Sequence, residues 1–436
     1  MERLMQYVWQ YRLIPPGPLF TVEGQRVRIV NPGMINTDAG PDFLNADIYI
    51  DGQQWVGNIE VHTRASDWFR HNHHQDPAYD SIILHIVDID DAPIYRANGQ
   101  RIPQLQLRCT PDLNAHLHSL VDTSPDRLPC ADFLKTMPSV YVTDWISSLS
   151  LARLQQRAQN ITAIAESLDN DWESAAYIYF ARALGFSRNA DPFERLARAT
   201  PLSVLRKHAN DQSVLEAILF GQSGLLDNAP ADNHYVNLLK EEYAFYQHKF
   251  DLHQPKPIIW QLGRMRPATF PHRRIALLAR VVRDNPFSKY INPDSPPSLE
   301  ELVDSLNIDL EGFWSTHYTF TSDAAPCPIN MTKQSILLLI INAVVPIMYA
   351  WGSYYNRPGL IDHAVELLGD IRPEDNVHTR HFTQLGIACK DALTSQGMIH
   401  LRRQYCQMRQ CLNCRIGHRL LSYKSQRQPD QPLRLF

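Results

Sequence analysis

The chain has 436 residues, 44% of them hydrophobic and 20% charged, with a formal net charge of −4. That length predicts two or three domains, and the composition excludes a disordered chain. The small negative balance excludes a basic coat over the whole surface, though it leaves room for a local basic groove.

Met1–Gln10 reads as an amphipathic stretch with aromatics and no small-residue cleavage site, so no secretory signal is expected. Short strands follow. Arg26–Val30 and Ala46–Ile50 alternate, Trp55–His62 is β-rich, and Ile82–Val87 is a short apolar run. Asp51-Gly52 has the chemistry of a tight hairpin turn, as does Asn98-Gly99 between Ile94–Arg96 and Ile102–Leu107.

From about residue 140 the pattern turns helical. Helix-length periodicity covers Val140–Leu168, Trp172–Leu184, Pro192–Ala199, Val214–Phe220, Asn233–Lys249 and Arg273–Arg283. It resumes over Ser335–Tyr349, His381–Thr394 and Gln396–Arg409. Gly185, Gly221 and Gly224 stand where C-caps are expected. Ser335–Trp351 is the most apolar run, but it is shorter than the ~20 residues of a spanning helix and holds Asn342 and Pro346. It reads as a buried helix, and no membrane segment is expected. Seven cysteines is an odd count with four standing alone, which predicts no disulfide framework and a cytoplasmic location. The expected fold class is α+β, with an α+β domain over residues 1–125. A mostly helical region over 126–436 follows and ends in a Cys-rich segment.

The residue types that carry chemistry crowd into residues 38–87. Asp42 precedes the first strand of the predicted hairpin, and Glu60 and His62 lie two apart on the second, so they share a face. A carboxylate turned into a core is costly unless paired or metal-bound. A solvated face with simple polar alternation is the alternative. His62, His71, His73, His74 and His85 follow closely, interspersed with Asp67, Asp76 and Asp80 and flanked by Trp68, Phe69 and Tyr79. They read either as a polar wall with extra metal ligands or as an exposed loop, and His85, inside an apolar strand, as a core histidine.

Pro41-Asp42, seventeen residues, then Glu60-Val61-His62 resembles the PD-(D/E)XK, or restriction-endonuclease-like, phosphodiesterase pattern. The resemblance implies a mixed sheet with flanking helices in the N-terminal domain. It also implies Mg²⁺ or Mn²⁺ held by Asp42, Glu60 and the Val61 backbone carbonyl, with Asp38 as a further candidate ligand. His62 stands where that superfamily has lysine. An imidazole there could act as a base near neutral pH, or ligate a softer metal such as Mn²⁺ or Zn²⁺. The whole chain also resembles an uncharacterised bacterial domain-of-unknown-function family through Gly40–Phe43, Trp55–His62, Asp67–His71 and Cys406–Cys414.

Cys406-x₄-Cys411-x₂-Cys414-x₃-His418 holds three thiols and an imidazole within thirteen residues, enough for one tetrahedral zinc if the helix breaks near 409–413. An iron–sulfur cluster would need a fourth cysteine from elsewhere. Three buried small side chains are the plain alternative. Arg264, Arg266, Arg273 and Arg274 cluster around Phe270 and could meet a phosphate backbone, or be surface charge alone. No Walker loop, dinucleotide-binding glycine motif or nucleophile elbow occurs in the sequence, which disfavours nucleotide-driven motors, dinucleotide oxidoreductases and α/β-hydrolases.

The function expected is metal-dependent cleavage of nucleic acid, with Asp42, Glu60 and His62 as the catalytic set. Two other readings stand beside it. One is an inactive nuclease fold that binds nucleic acid or protein. The other is a zinc hydrolase using His62, His85 and one of His73 or His74.

Overall fold

The computed structural model describes residues 1–425 apart from 13, 15–16, 37–39, 97, 108–127, 129, 187, 254–257, 322–326 and 329, with side chains described to residue 420. Asp38 lies outside the described residues. The fold is α+β, with an N-terminal mixed sheet and a mostly helical remainder. Two compact units divide the chain, one of residues 1–145 and 401–436, the other of residues 146–400. The Cys-rich segment therefore belongs with the N-terminal residues, not with the helices that precede it in sequence.

In the first unit, helix α1 (Glu2–Gln10) precedes strands β1 (Leu19–Phe20), β2 (Arg26–Asn31), β3 (Met34–Ile35), β4 (Phe43–Ile50) and β5 (Gln53–Arg64). A short helix α2 (Asp67–Arg70) and two 3₁₀ turns, His73–Gln75 and Pro77–Tyr79, lead to β6 (Ile82–Ile89) and then β7 (Gln104–Gln106). The sheet order is β1-β2-β4-β5-β6-β7, with β3 paired to β4. Strands β2, β4 and β5 are antiparallel neighbours, while β6 is parallel to both β5 and β7.

Local chemistry explains these elements. Asp51 and Gly52 take φ of +48° and +83°, the left-handed pair that a tight β4–β5 hairpin demands. In β4, Phe43, Ala46, Ile48 and Ile50 are buried while the residues between them are less so, the signature of a strand with one core face. Strand β6 is buried from Ile82 to Val87, as befits a central strand covered on both faces. The apolar side of α1, with Leu4, Met5, Tyr7, Val8 and Trp9, packs against Phe43, Ile48, Ile59, Val61, Leu84 and Ile86. A smaller cluster of Trp68, Tyr79, Ile82, Ile94 and Ile102 forms beneath the crossover.

The second unit is a helical assembly around one large apolar core. Its apolar helix Lys333–Tyr354 is the one described helix long and apolar enough to cross a membrane, and 67% of that apolar window is buried. It widens into a π turn at Ile340–Val344, just before Pro346. Arg157 donates there to the Asn342 side chain (2.7 Å) and to the Ile341 carbonyl (3.3 Å).

Three local expectations fail. Gly221 is no C-cap. It lies inside helix Gln212–Ser223, where a Cβ would stand 2.2 Å from the Tyr243 ring, so it permits close helix packing; Gly224 is the left-handed cap instead. His381–Thr394 is not one helix: helix Val377–Thr383 ends before Gly386 at φ +83°, and a new one starts at Ala392. Gln396–Arg409 is helical only to His400, then forms a π turn to Cys406, with Arg409 at φ +55° beyond it.

Candidate metal centre

Asp42 is set immediately before β4, where a β-bulge between Phe43 and Ala46 shifts the β4–β5 register. Its Oδ2 accepts the Val61 backbone N–H (2.9 Å), and its Oδ1 accepts from the Gln6 side chain (2.9 Å). The Asp42 backbone N–H donates to Glu60 Oε2 at 3.1 Å. The two acids thus meet across the hairpin. Val61 itself is wholly buried.

Glu60 Oε1 faces the imidazoles. It lies 3.5 Å from His62 Nε2 and 3.4 Å from His73 Nε2. His62 Nε2 is 3.1 Å from His71 Nδ1, and His62 Nδ1 is 2.8 Å from His85 Nε2. The ligand atoms of His62, His71 and His73 all lie within 4.8 Å of one another. His73 stacks on Tyr79 at 3.8 Å between ring centres, and Trp68 meets the edges of His73 and Tyr79. The β5 alternation carries Glu60 and His62 to one face, the crossover brings His71 and His73 over it, and β6 supplies His85.

Electrostatics point one way. Burial, then the neighbouring Asp42 charge, pushes Glu60 up to about 9. Burial also raises Asp42, against the opposing hydrogen bonds from Val61 and Gln6. It pushes His62 down to about 3 and His73 down to about 4, with the neighbouring imidazoles adding to both shifts. His85 falls well below its ordinary value for the same reasons. The acids are held toward their neutral forms and the imidazoles are neutral, the state in which imidazole binds a metal.

A divalent cation fits this donor set. Two ligands sharing an ion at 2.0–2.1 Å stand roughly 3.0 Å apart in an octahedron and 3.3 Å apart in a tetrahedron. The separations of 3.1, 3.4 and 3.5 Å around Glu60, His62, His71 and His73 fall at or just beyond that spacing. His73 Nε2 is buried and has no hydrogen-bond partner, which an ion would supply.

Asp42, Glu60, Val61 and His62 therefore come together, with His73 and His85 beside them. His74 does not join them: it lies against Phe69, and its Nε2 meets Gln75. Two contributors escaped the sequence reading. Gln6 holds Asp42, and Glu2 lies within electrostatic range of Asp42 and His71. The i, i+4 spacing of Glu2 and Gln6 on one face of an amphipathic N-terminal helix was the available signal.

The other predicted sites fare differently. His418 Nδ1 lies 2.6 Å from the Tyr7 phenol oxygen, and among the described residues no three ligand atoms of Cys406, Cys411, Cys414 and His418 lie within 4.8 Å of one another. Arg273 and Arg274, expected as possible phosphate contacts, are both buried. Arg273 donates to the backbone carbonyls of Trp314, His317 and Pro328, and Arg274 lies over the Phe186 ring at 4.1 Å. The charge of Arg273 is spent on the fold. Arg264 and Arg266 are exposed.

No curated protein and no solved structure matches the chain. A family model does match, over residues 2–377, and the chain belongs to that family, described as a protein of unknown function (DUF2851).

Proposed function

We propose that this protein is a metal-dependent phosphodiester hydrolase acting on nucleic acid, with Asp42 and Glu60 as metal ligands and neighbouring imidazoles favouring Mn²⁺ over Mg²⁺. The observation that carries this reading is the meeting of Asp42 and Glu60 across one hairpin, with Glu60 Oε1 turned to His62 and His73. The order of elements supports it: a hairpin with one acid on each arm, a helical crossover, then a parallel strand. It agrees with the mixed sheet and flanking helices that the restriction-endonuclease-like resemblance implies. Imidazole ligands shift preference from Mg²⁺ toward later transition ions. A bound metal supplies positive charge against the charge that builds on the phosphate.

The chain's own groups divide the remaining work. Gln6 and the Val61 N–H orient Asp42. His85 fixes the His62 ring through Nδ1, leaving Nε2 toward Glu60 and His71. His62 is buried and neutral, so it does not supply the fixed positive charge of a lysine. It instead offers a lone pair to the metal, and burial this strong counters the expectation of a base near neutral pH. Trp68 and Tyr79 wall the imidazoles on the apolar side.

The test is cleavage of labelled single- and double-stranded DNA and RNA with Mn²⁺ or Mg²⁺, run beside Glu60→Gln and an EDTA control. Metal-dependent cleavage that disappears in the variant is expected. No cleavage on any substrate, with no Mn²⁺ binding by calorimetry, would overturn the reading and leave a binding module. The closeness of the His62, His71 and His73 ligand atoms favours one second reading, a zinc hydrolase. Hydrolysis supported by zinc, and not by Mn²⁺ or Mg²⁺, would select it.

A further inference from the structure

From Leu252 to Arg283 the sequence holds six arginines and no acid. Helix Pro271–Asp284 begins inside that stretch, and His272, Arg273 and Arg274 follow its first residue. Cations there oppose the positive end of the helix dipole, where acids are the stabilising choice. The N-cap residue, Phe270, offers no capping oxygen, and no acid stands in the first turn. Pro271 has no N–H, and the Arg274 N–H is returned to the Phe270 carbonyl at 3.2 Å. Among the described residues the N–H groups of His272 and Arg273 meet no acceptor.

The two arginines part at this point. Arg273 is satisfied by three backbone carbonyls. Arg274 is 9% exposed, and its buried Nη1 has no hydrogen-bond partner. Its guanidinium lies over the Phe186 ring, 4.1 Å from the centroid. An aromatic face answers part of a cation's charge but leaves the in-plane N–H donors open. Burial lowers Arg274 to about 10, with no acid opposing the shift. A buried guanidinium with an open donor and no counter-charge is unfavourable, and a bound anion supplies both the acceptor and the charge.

The surroundings add charge of the same sign. Phe186 follows helix Trp172–Leu184, and its neighbours are tied to the segment that leads into helix Pro271–Asp284. Arg188 donates to the Gly263 carbonyl (3.1 Å). The Asn189 side chain and the Gln261 backbone exchange two hydrogen bonds, of 3.0 and 2.9 Å. Arg264 and Arg266, both exposed, come next on that segment. Helical side chains lean toward the N-terminus of their helix, which turns Arg274 toward the open N–H groups.

We propose that the N-terminus of helix Pro271–Asp284 is a phosphate-binding site, with Arg274 as its floor, the His272 and Arg273 N–H groups as further donors, and Arg188, Arg264 and Arg266 at its rim. Phosphate oxygens suit both a planar guanidinium and open helix N–H groups, and their charge offsets the clustered arginines. The phosphate is either free or part of a nucleic acid. The site belongs to the second unit and does not rest on the reading of the Asp42–Glu60 site.

The full chain, stripped of metal so that phosphate held through an ion is not counted, is titrated calorimetrically with inorganic phosphate in chloride buffer. Parallel titrations use a short oligonucleotide with a 5′-phosphate or a 5′-hydroxyl. Saturable binding of about one phosphate per chain is expected. Arg274→Met should weaken it at least about tenfold, the loss of one charge-assisted hydrogen bond. Without phosphate this variant should melt no lower than wild type, because an apolar chain replaces an unmet buried cation. Should Arg274→Met be insoluble, Arg264→Ala together with Arg266→Ala replaces it and should also weaken binding. Arg274-dependent binding of inorganic phosphate assigns a free ligand. A preference for the 5′-phosphorylated strand assigns a nucleic-acid end, and equal binding of both strands an internal phosphodiester. No saturable binding of any of the three probes, or binding that neither variant weakens, would overturn the proposal. So would an Arg274→Met chain that melts lower yet binds as wild type does, since the guanidinium would then serve the fold alone.

Discussion

Two buried glutamates, one in each unit, show what separates a structural acid from a reactive one. Glu60 and Glu216 are 5% and 7% exposed, and burial raises both above the usual carboxylate range. Glu216, in helix Gln212–Ser223, accepts from Gln212 (2.7 Å) and from the Tyr235 hydroxyl, which is itself fixed by Trp314 (3.1 Å). Each of its oxygens accepts a side-chain hydrogen bond. Glu60 has one oxygen on the Asp42 N–H and the other facing only imidazoles. Burial alone does not make a site; acceptor capacity left unused by permanent donors does.

The largest expected effect breaks that comparison directly. Glu60→Gln should cost more than about 100-fold in Mn²⁺ affinity, since losing even an outer partner of a metal ligand costs roughly 10–100-fold. Its melting temperature without metal should hardly move, because the acid it replaces is held toward neutrality. Glu216→Gln should do the reverse, leaving Mn²⁺ binding intact while costing roughly 1–3 kcal/mol in urea unfolding. If both variants lose stability equally and neither loses metal, the distinction between the two acids fails.

A second contrast lies among the arginines. Arg273→Met would strand three backbone carbonyls and should destabilise the fold by roughly 2–4 kcal/mol. Arg264→Ala together with Arg266→Ala should leave urea unfolding within about 0.5 kcal/mol of wild type, since both side chains are exposed. A stable Arg273→Met with weakened nucleic-acid binding would reverse this assignment.

The effect confined to acid solution is a pH dependence in the second unit. Burial pushes His272 down to about 4, and its Nδ1 has no partner. Above pH 6.5 the ring is neutral folded or unfolded and costs nothing. As pH falls from 6.5 toward 4 the unfolded chain takes up the proton first, so stability is lost across that window, by about 2.5 kcal/mol at pH 4.5. His272→Leu should remove this share of the acid sensitivity, read as the difference in urea midpoints between pH 7 and pH 4.5. An unchanged difference would show that His272 titrates normally in the folded chain.

Much of the first unit was legible because its signals are local. The Asp51-Gly52 turn, the alternation of β4 and the shared face of Glu60 and His62 each depend on neighbours within a few residues. His71 and His73 were visible as a cluster but not as ligands, since only the crossover brings them over β5. Arg273 looked like a surface cation, because a basic residue beside an aromatic reads the same whether it faces solvent or a ring of carbonyls.

The amino-acid sequence by itself determined the α+β division, the hairpin that carries Asp42 and Glu60, and the density of imidazole that follows it. Backbone preference and side-chain period act over one turn or one strand, so no distant partner is needed to set them. Tertiary structure alone decided that α1 brings Gln6 to Asp42 and that His418 goes to Tyr7. Those meetings join residues far apart in the chain. Their cause is the burial of apolar surface in one core, which leaves no trace in the spacing of the residues it brings together.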